Sequence, residues 1–166
     1  MIEGMDALFK KLEKYENLSL ENPIGKAVDY VQSAAKNSCP VYDGKLRESI
    51  LTATEQHGDE LYGVCYTNTA YAPYVEMGTG PKGQKNHNGI STNVEVSYSQ
   101  YPWWVHESQI NQSVAEKYRW FCIDTPEGKF YQCSGQAAHP FMYPALKDHE
   151  NEVTKIIGED IRRQLK

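Results

Sequence analysis

Apolar residues recur at three- and four-residue steps near both ends of the chain and lose that period in between. Met5, Leu8, Phe9, Leu12 and Tyr15 form one stripe, and Ile24, Ala27, Val28, Val31 and Ala35 form a second. The spacing predicts two amphipathic helices. Asn22-Pro23 predicts the start of the second: Asn can cap first-turn amides, and Pro needs no partner there. Its end is predicted before Cys39-Pro40, because the residue ahead of a proline avoids the helical region. From Pro144 the helical period returns, with Ala145, Leu146, His149, Val153, Ile156, Ile157, Ile161 and Leu165 on one face. Lys and Arg gather at the C-terminal end, where they complement the helix dipole. A long C-terminal helix is expected.

The middle of the chain reads differently. Asp43-Gly44 marks a turn. Residues 46–54 and 60–68 are β-rich and flank the polar Gln56-His57-Gly58-Asp59, which predicts an antiparallel hairpin. Residues 71–77 fit either a short helix or a strand. Residues 78–89 are polar and glycine-rich, a loop with a mobile tip. Residues 93–133 resemble inserted β-structure: Trp103-Trp104-Val105 and 118–123 are strand-like, and 120–133 forms a hairpin closed by Thr125-Pro126-Glu127-Gly128. The order predicts an α+β fold, an antiparallel sheet packed by N-terminal helices and a long C-terminal helix, with an inserted β-hairpin region. A length of 166 residues fits one domain, 1–166, with 84–134 as the glycine-rich loop and β insertion.

Composition narrows the function classes. An apolar share of 40% with 23% charged residues is near the average of soluble globular proteins. The 12 Tyr and 3 Trp suit either surfaces that become buried against other chains or a half-buried sheet. A net charge of -5, without a long run of Lys or Arg, speaks against sequence-specific nucleic-acid binding. No stretch approaches the roughly 20 apolar residues of a membrane span. The first residues are charged throughout, with no apolar signal core, so a cytoplasmic product is expected. Cys39, Cys65, Cys122 and Cys133 lack metal-ligand spacing and are expected as buried thiols. Cys122 and Cys133 are placed to face one another across a hairpin, which leaves a bridge open.

Three patterns invite a chemical reading. Gly78-Thr79-Gly80-Pro81-Lys82-Gly83 spells GxGxxG, but no βαβ unit surrounds it, Pro81 removes an amide, and the GK[ST] ending is missing. A chain reversal, or an arm reaching a neighbouring subunit, is the better expectation. The five histidines, His57, His87, His106, His139 and His149, show no HxH or HExxH spacing; His106-Glu107 is a loose pair. Tyr101-Pro102-Trp103-Trp104 suits a stacking platform, or the packing of an inserted hairpin or subunit contact. The expectation from the residues is no catalytic group, no metal and no cofactor.

Three segments in order resemble one family. Cys39-Pro40-Val41-Tyr42-Asp43-Gly44-Lys45-Leu46-Arg47-Glu48-Ser49-Ile50 is similar to CPVDTGxLRxSI, with Tyr-Asp in place of Asp-Thr. Tyr71-Ala72-Pro73-Tyr74-Val75-Glu76-Met77-Gly78-Thr79-Gly80 is similar to YAxYVExGTG. Gly135-Gln136-Ala137-Ala138-His139-Pro140-Phe141-Met142-Tyr143-Pro144-Ala145-Leu146 is similar to GxxAxPFMxPAL. Together they resemble the tail-component family of long-tailed phages and prophages, typified by gene product ten of phage HK-ninety-seven.

The resemblance implies a virion structural protein of the neck or of tail completion. It implies an α+β fold assembling as a ring, commonly a hexamer, between head connector and tail tube or tail terminator. It offers no catalytic residue. The implied partners are further copies of the chain and those connector or tail proteins; DNA can pass through such a ring. The implied location is the host cytoplasm during assembly and then the virion. Gly44, Leu46, Tyr71, Tyr74, Glu76, Gly78, Thr79, Gly80, Pro140, Phe141 and Pro144 are the motif positions expected to serve the fold or assembly, with Glu76 a charged shoulder beside a flexible arm. Rival expectations are a prophage cell-wall hydrolase, resting on residues such as Glu76 and His106, and a small carbohydrate-binding module using Trp103 and Trp104.

Overall fold

The structure, a computed structural model, describes residues 5–166. In chain order the helices are α1 (Met5–Glu16), α2 (Glu21–Ser38), α3 (Lys45–Glu48), α4 (Ala72–Met77), α5 (Gly80–Lys85), α6 (Gln112–Lys117), α7 (Tyr143–Lys147) and α8 (Glu150–Gln164). The strands are β1 (Ile50–His57), β2 (Glu60–Thr67), β3 (Trp103–His106), β4 (Cys122–Thr125) and β5 (Gly128–Cys133). The elements are α+β and every strand pair is antiparallel, as the residue pattern predicts. They fall into two compact units. One takes the chain up to Thr69 and again over Phe141–Lys166; the other is Ala70–Pro140.

The first unit is organised by α2. Ala27, Val28, Val31 and Ala35 are buried on one face of it, beside a core that includes Leu46, Ile50, Phe141 and Ala145. The β1–β2 hairpin, α7 and α8 all pack on α2. Gly63 allows β2 to come close, since a Cβ there would lie 2.9 Å from Ile24 Cγ2 and 3.1 Å from Val28 Cβ. Lys26 and Asp160 tie α2 to α8 at 2.7 Å, and Arg163 adds a second contact to the buried Asp160 at 3.3 Å. At the base of the hairpin the Ser49 hydroxyl donates to the Leu46 carbonyl at 2.8 Å and accepts from Thr69 Oγ1 at 2.7 Å.

Several predicted boundaries move. Leu20, not Asn22, flanks α2, so Asn22 and Pro23 occupy its first turn. The helix does end at Cys39, whose amide reaches the Ala35 carbonyl at 2.9 Å while its backbone turns extended ahead of Pro40. Residues 45–48 form a helical turn after Gly44 (φ 85°), so β1 begins at Ile50 rather than at residue 46. The predicted four-residue turn shrinks to Gly58-Asp59, because His57 pairs with Glu60 and Gly58 takes a positive φ of 63°. The single C-terminal helix becomes two. The break lies at Asp148 and His149, where the imidazole Nδ1 donates to the Ala145 carbonyl at 3.1 Å.

The second unit carries its own sheet, in the order β3-β5-β4. The hairpin turn is Pro126-Glu127, with Thr125 opposite Gly128. Residues 118–121 are not strand: Tyr118 ends α6, Arg119 takes a positive φ of 50°, and Trp120 N reaches the Ala115 carbonyl at 3.0 Å. Within the stretch predicted as loop, Gly80–Lys85 is helical.

Cys122 lies opposite Tyr131 and Cys133 opposite Trp103, so the two thiols are out of register, and no disulfide forms among the four cysteines. Cys122 is exposed, Cys39 is buried, and burial pushes the half-buried Cys65 thiol up against a smaller opposing effect of Lys36. Iodoacetamide should therefore label Cys122 first, with Cys65 at least about tenfold slower near neutral pH. Peptide mass spectrometry over a time course checks the order. Equal rates would show that the Cys65 environment is open.

Candidate functional site

The second motif and the beginning of the third close on one another inside the second unit. Thr79 and Gln136 form an antiparallel bridge, with Thr79 N on the Gln136 carbonyl at 2.9 Å and Gln136 N on the Thr79 carbonyl at 3.1 Å. The Gln136 amide donates to the Tyr74 carbonyl at 2.7 Å, His139 N to the Val75 carbonyl at 2.8 Å, and Lys82 N to the Ser134 carbonyl at 3.1 Å. Tyr98 adds its hydroxyl to the Met77 carbonyl at 2.7 Å.

The glycines of the GxGxxG stretch serve this closure. A Cβ at Gly78 would lie 2.7 Å from Ala138 N, at Gly80 2.7 Å from Trp103 Cζ3, and at Gly83 2.9 Å from Gly78 C. The stretch is a packed junction rather than a free arm. Ahead of it stands α4, not the strand that a dinucleotide site requires. Glu76, expected as a charged shoulder, is instead 9% exposed.

The motif residues are divided between the units. Tyr71, Tyr74, Glu76, Gly78, Thr79, Gly80 and Pro140 belong to the second; Gly44, Leu46, Phe141 and Pro144 belong to the first. Leu46 and Phe141 are core residues, whereas Tyr71 and Tyr74 present their rings to solvent. Gly44 sets the turn before α3, and Asp43 accepts from Lys45 N at 3.2 Å. The Lys45 side chain bonded to Asp43 holds that carboxyl below the usual carboxylate range. Pro144 stands in the first turn of α7, where it lacks no needed partner.

Trp103 and Trp104 do not make one platform. Successive strand residues point to opposite faces, and Trp103 packs over Gly80 while Trp104 turns to the other side. There Trp104 and Phe121 lie 6.0 Å apart at 57°, beside the exposed Ile123. Phe130 shares that face and meets the His106 ring edge-on at 5.0 Å. His106 holds its own turn: Nε2 donates to the Glu127 carbonyl at 3.0 Å and Nδ1 accepts from Ser108 at 2.7 Å. Both ring nitrogens are thereby committed to backbone and turn geometry. Among the described residues, no group of three or more His, Cys, Asp or Glu side chains is arranged to hold a metal. No helix among them is long and apolar enough to cross a membrane.

The first unit bears two further features. A cavity of about 650 Å³ opens between α2, β2 and the C-terminal helices, lined by apolar groups such as Val28, Val31, Leu61, Leu146, Val153 and Ile157. Helix α1, by contrast, has no buried residue, and its whole apolar stripe is exposed. Periodicity announces that stripe but says nothing of what covers it. Eight of the 12 tyrosines are likewise exposed.

Residues 6–78 match the model of the family described as "Bacteriophage HK97-gp10, putative tail-component". The match takes in the first motif and the second as far as Gly78, and it supports the tail-component family that the three segments resemble. A tail component is a structural part of a phage particle, and similarity to one is what the match shows. No curated protein and no solved structure matches the chain.

Proposed function

We propose that this chain is a structural protein of the head-to-tail junction of a long-tailed phage or prophage, where copies form a ring that joins head to tail or completes the tail. The observation that carries the reading is the family match over residues 6–78, extended by the third motif at 135–146. The surface is consistent with it. Tyr71, Tyr74, Tyr101, Trp104, Tyr118 and Phe121 expose large rings that combine apolar area with few rotatable bonds, the residue types that anchor protein interfaces. The proposed partners are other copies of the chain, a head connector and a tail-tube or tail-terminator protein, with the virion as final location and no catalysis.

A ring requires a heterologous contact, in which one face of a subunit meets a different face of the next. Electron microscopy of particles assembled without this protein should show filled heads and tails that fail to join, or tails with abnormal ends. Normal infectious particles would overturn the reading.

A further inference from the structure

Helix α1 cannot account for its own stability. It is 12 residues long, and all of them are exposed, including Met5, Leu8, Phe9, Leu12 and Tyr15 on one stripe. An isolated helix of that length is marginal in water, and helices of globular proteins owe most of their stability to packing an apolar face. The same unit contains an apolar groove with no side chain filling it, the cavity of about 650 Å³ bounded by α2, β2, α7 and α8.

Two features keep stripe and groove apart within one chain. The linker behind α1 is pinned by a reciprocal amide clasp: Ser19 N donates to Gln164 Oε1 at 3.0 Å, and Gln164 Nε2 donates to the Ser19 carbonyl at 2.9 Å. Lys14 Nζ also donates to the Lys166 carbonyl at 2.8 Å. This anchorage lies beyond Ile157, the last α8 residue lining the groove, by roughly 10 Å along the helix. The chain thus holds α1 at the C-terminal end of α8 while the groove faces the earlier turns.

Charge argues against a membrane as the occupant. Lys10, Lys11 and Lys14 on α1 are balanced by Asp6, Glu13 and Glu16. A helix that seeks an anionic lipid surface carries a basic polar face instead. At the groove mouth, Lys147 and Glu150 already pair at 3.0 Å, so that rim is also near neutral. Both surfaces are apolar with balanced charge, and each lacks what the other supplies.

We infer that α1 of one copy docks its Met5–Tyr15 stripe into the apolar groove of a second copy. The contact joins two different surfaces of the same unit, so it repeats head to tail and is the kind of interface a ring is built from. It rests on the ring reading given above and names the contact that would close it.

Sedimentation of the full chain tests the idea with two variants. Leu8→Asp/Leu12→Asp spoils the stripe, and Leu146→Arg, at a position 51% exposed and therefore tolerant, obstructs the groove. The native chain should self-associate as concentration rises, and each variant should stay monomeric. A mixture of the two should give a heterodimer and nothing larger, because only one of the two possible contacts is intact. A photo-crosslinker at Leu8, in a mixture of isotope-labelled and unlabelled native-sequence chains, should reach residues 142–157 of another copy. Loss of association in the stripe variant alone would mean helix-to-helix pairing and overturn the proposal. So would crosslinks confined within one chain, or binding to anionic phospholipid vesicles without self-association. If both variants keep the native oligomer, this contact falls while the neck reading stands; joined particles lacking the protein would remove the neck reading itself.

Discussion

Phe141→Ala is expected to destabilise the protein by about 3–5 kcal/mol and to lower Tm by roughly 10 °C. Phe141 is 0% exposed and is one of the largest fully enclosed side chains, with Ile50 and Pro23. It stands where the chain rejoins the first unit, immediately before α7, whose Ala145 is also buried. Truncation removes the apolar area and leaves a void that close-packed neighbours cannot fully close. Leu146→Ala, five residues on but more than half exposed, should cost less than about 1 kcal/mol. Urea unfolding of both variants measures the contrast. Similar midpoints would show that Phe141 is not the anchor its burial implies.

Gly135→Ala should be worse still, beyond about 4 kcal/mol or failing to give soluble protein. Gly135 has φ +78°, a region that L side chains rarely adopt, and a Cβ there would run into the Thr79 carbonyl. No rotamer relieves a clash with backbone, and Thr79 is held in place by its bridge to Gln136. Gly158→Ala in α8 is the matched control: nothing lies within 4 Å of its Cβ position. Helix propensity then predicts a gain of roughly 0.5–1 kcal/mol. Opposite signs for the two substitutions, read from thermal unfolding, would establish the junction; a mild effect at Gly135 would dismiss it.

What could be read from the sequence was whatever local periodicity encodes. The stripe from Ile24 to Ala35 marks α2, and Thr125-Pro126-Glu127-Gly128 marks the β4–β5 turn. The errors fall where distant contacts decide. Gly80–Lys85 contains two glycines and a proline and has poor helix propensity, yet it forms a turn whose Lys82 amide is satisfied by Ser134 from far along the chain. The glycines at 78, 80 and 83 look like a nucleotide loop or a free arm until Ala138, Trp103 and Gln136 are seen against them. Glu76 follows the same rule: its charge suggests exposure, and its burial comes from the junction built around it. For assembly, the three motifs carry the resemblance on which the proposed role rests, whereas the exposure of the α1 stripe and the groove emerged only with the packing.

The division of the chain has a consequence for its birth on the ribosome. Ala70–Pro140 is a continuous stretch, so its contacts can form as soon as it emerges. The first unit is stitched from both sides of that stretch, and α2 must wait for Phe141, α7 and α8 before its exposed face is covered. Interrupted synthesis would therefore yield chains with a finished middle and no groove. If the groove is the socket of the ring, such fragments carry a plug but cannot receive one, and each would terminate a growing assembly rather than extend it. On that reading, completeness of translation becomes a condition for building the proposed ring.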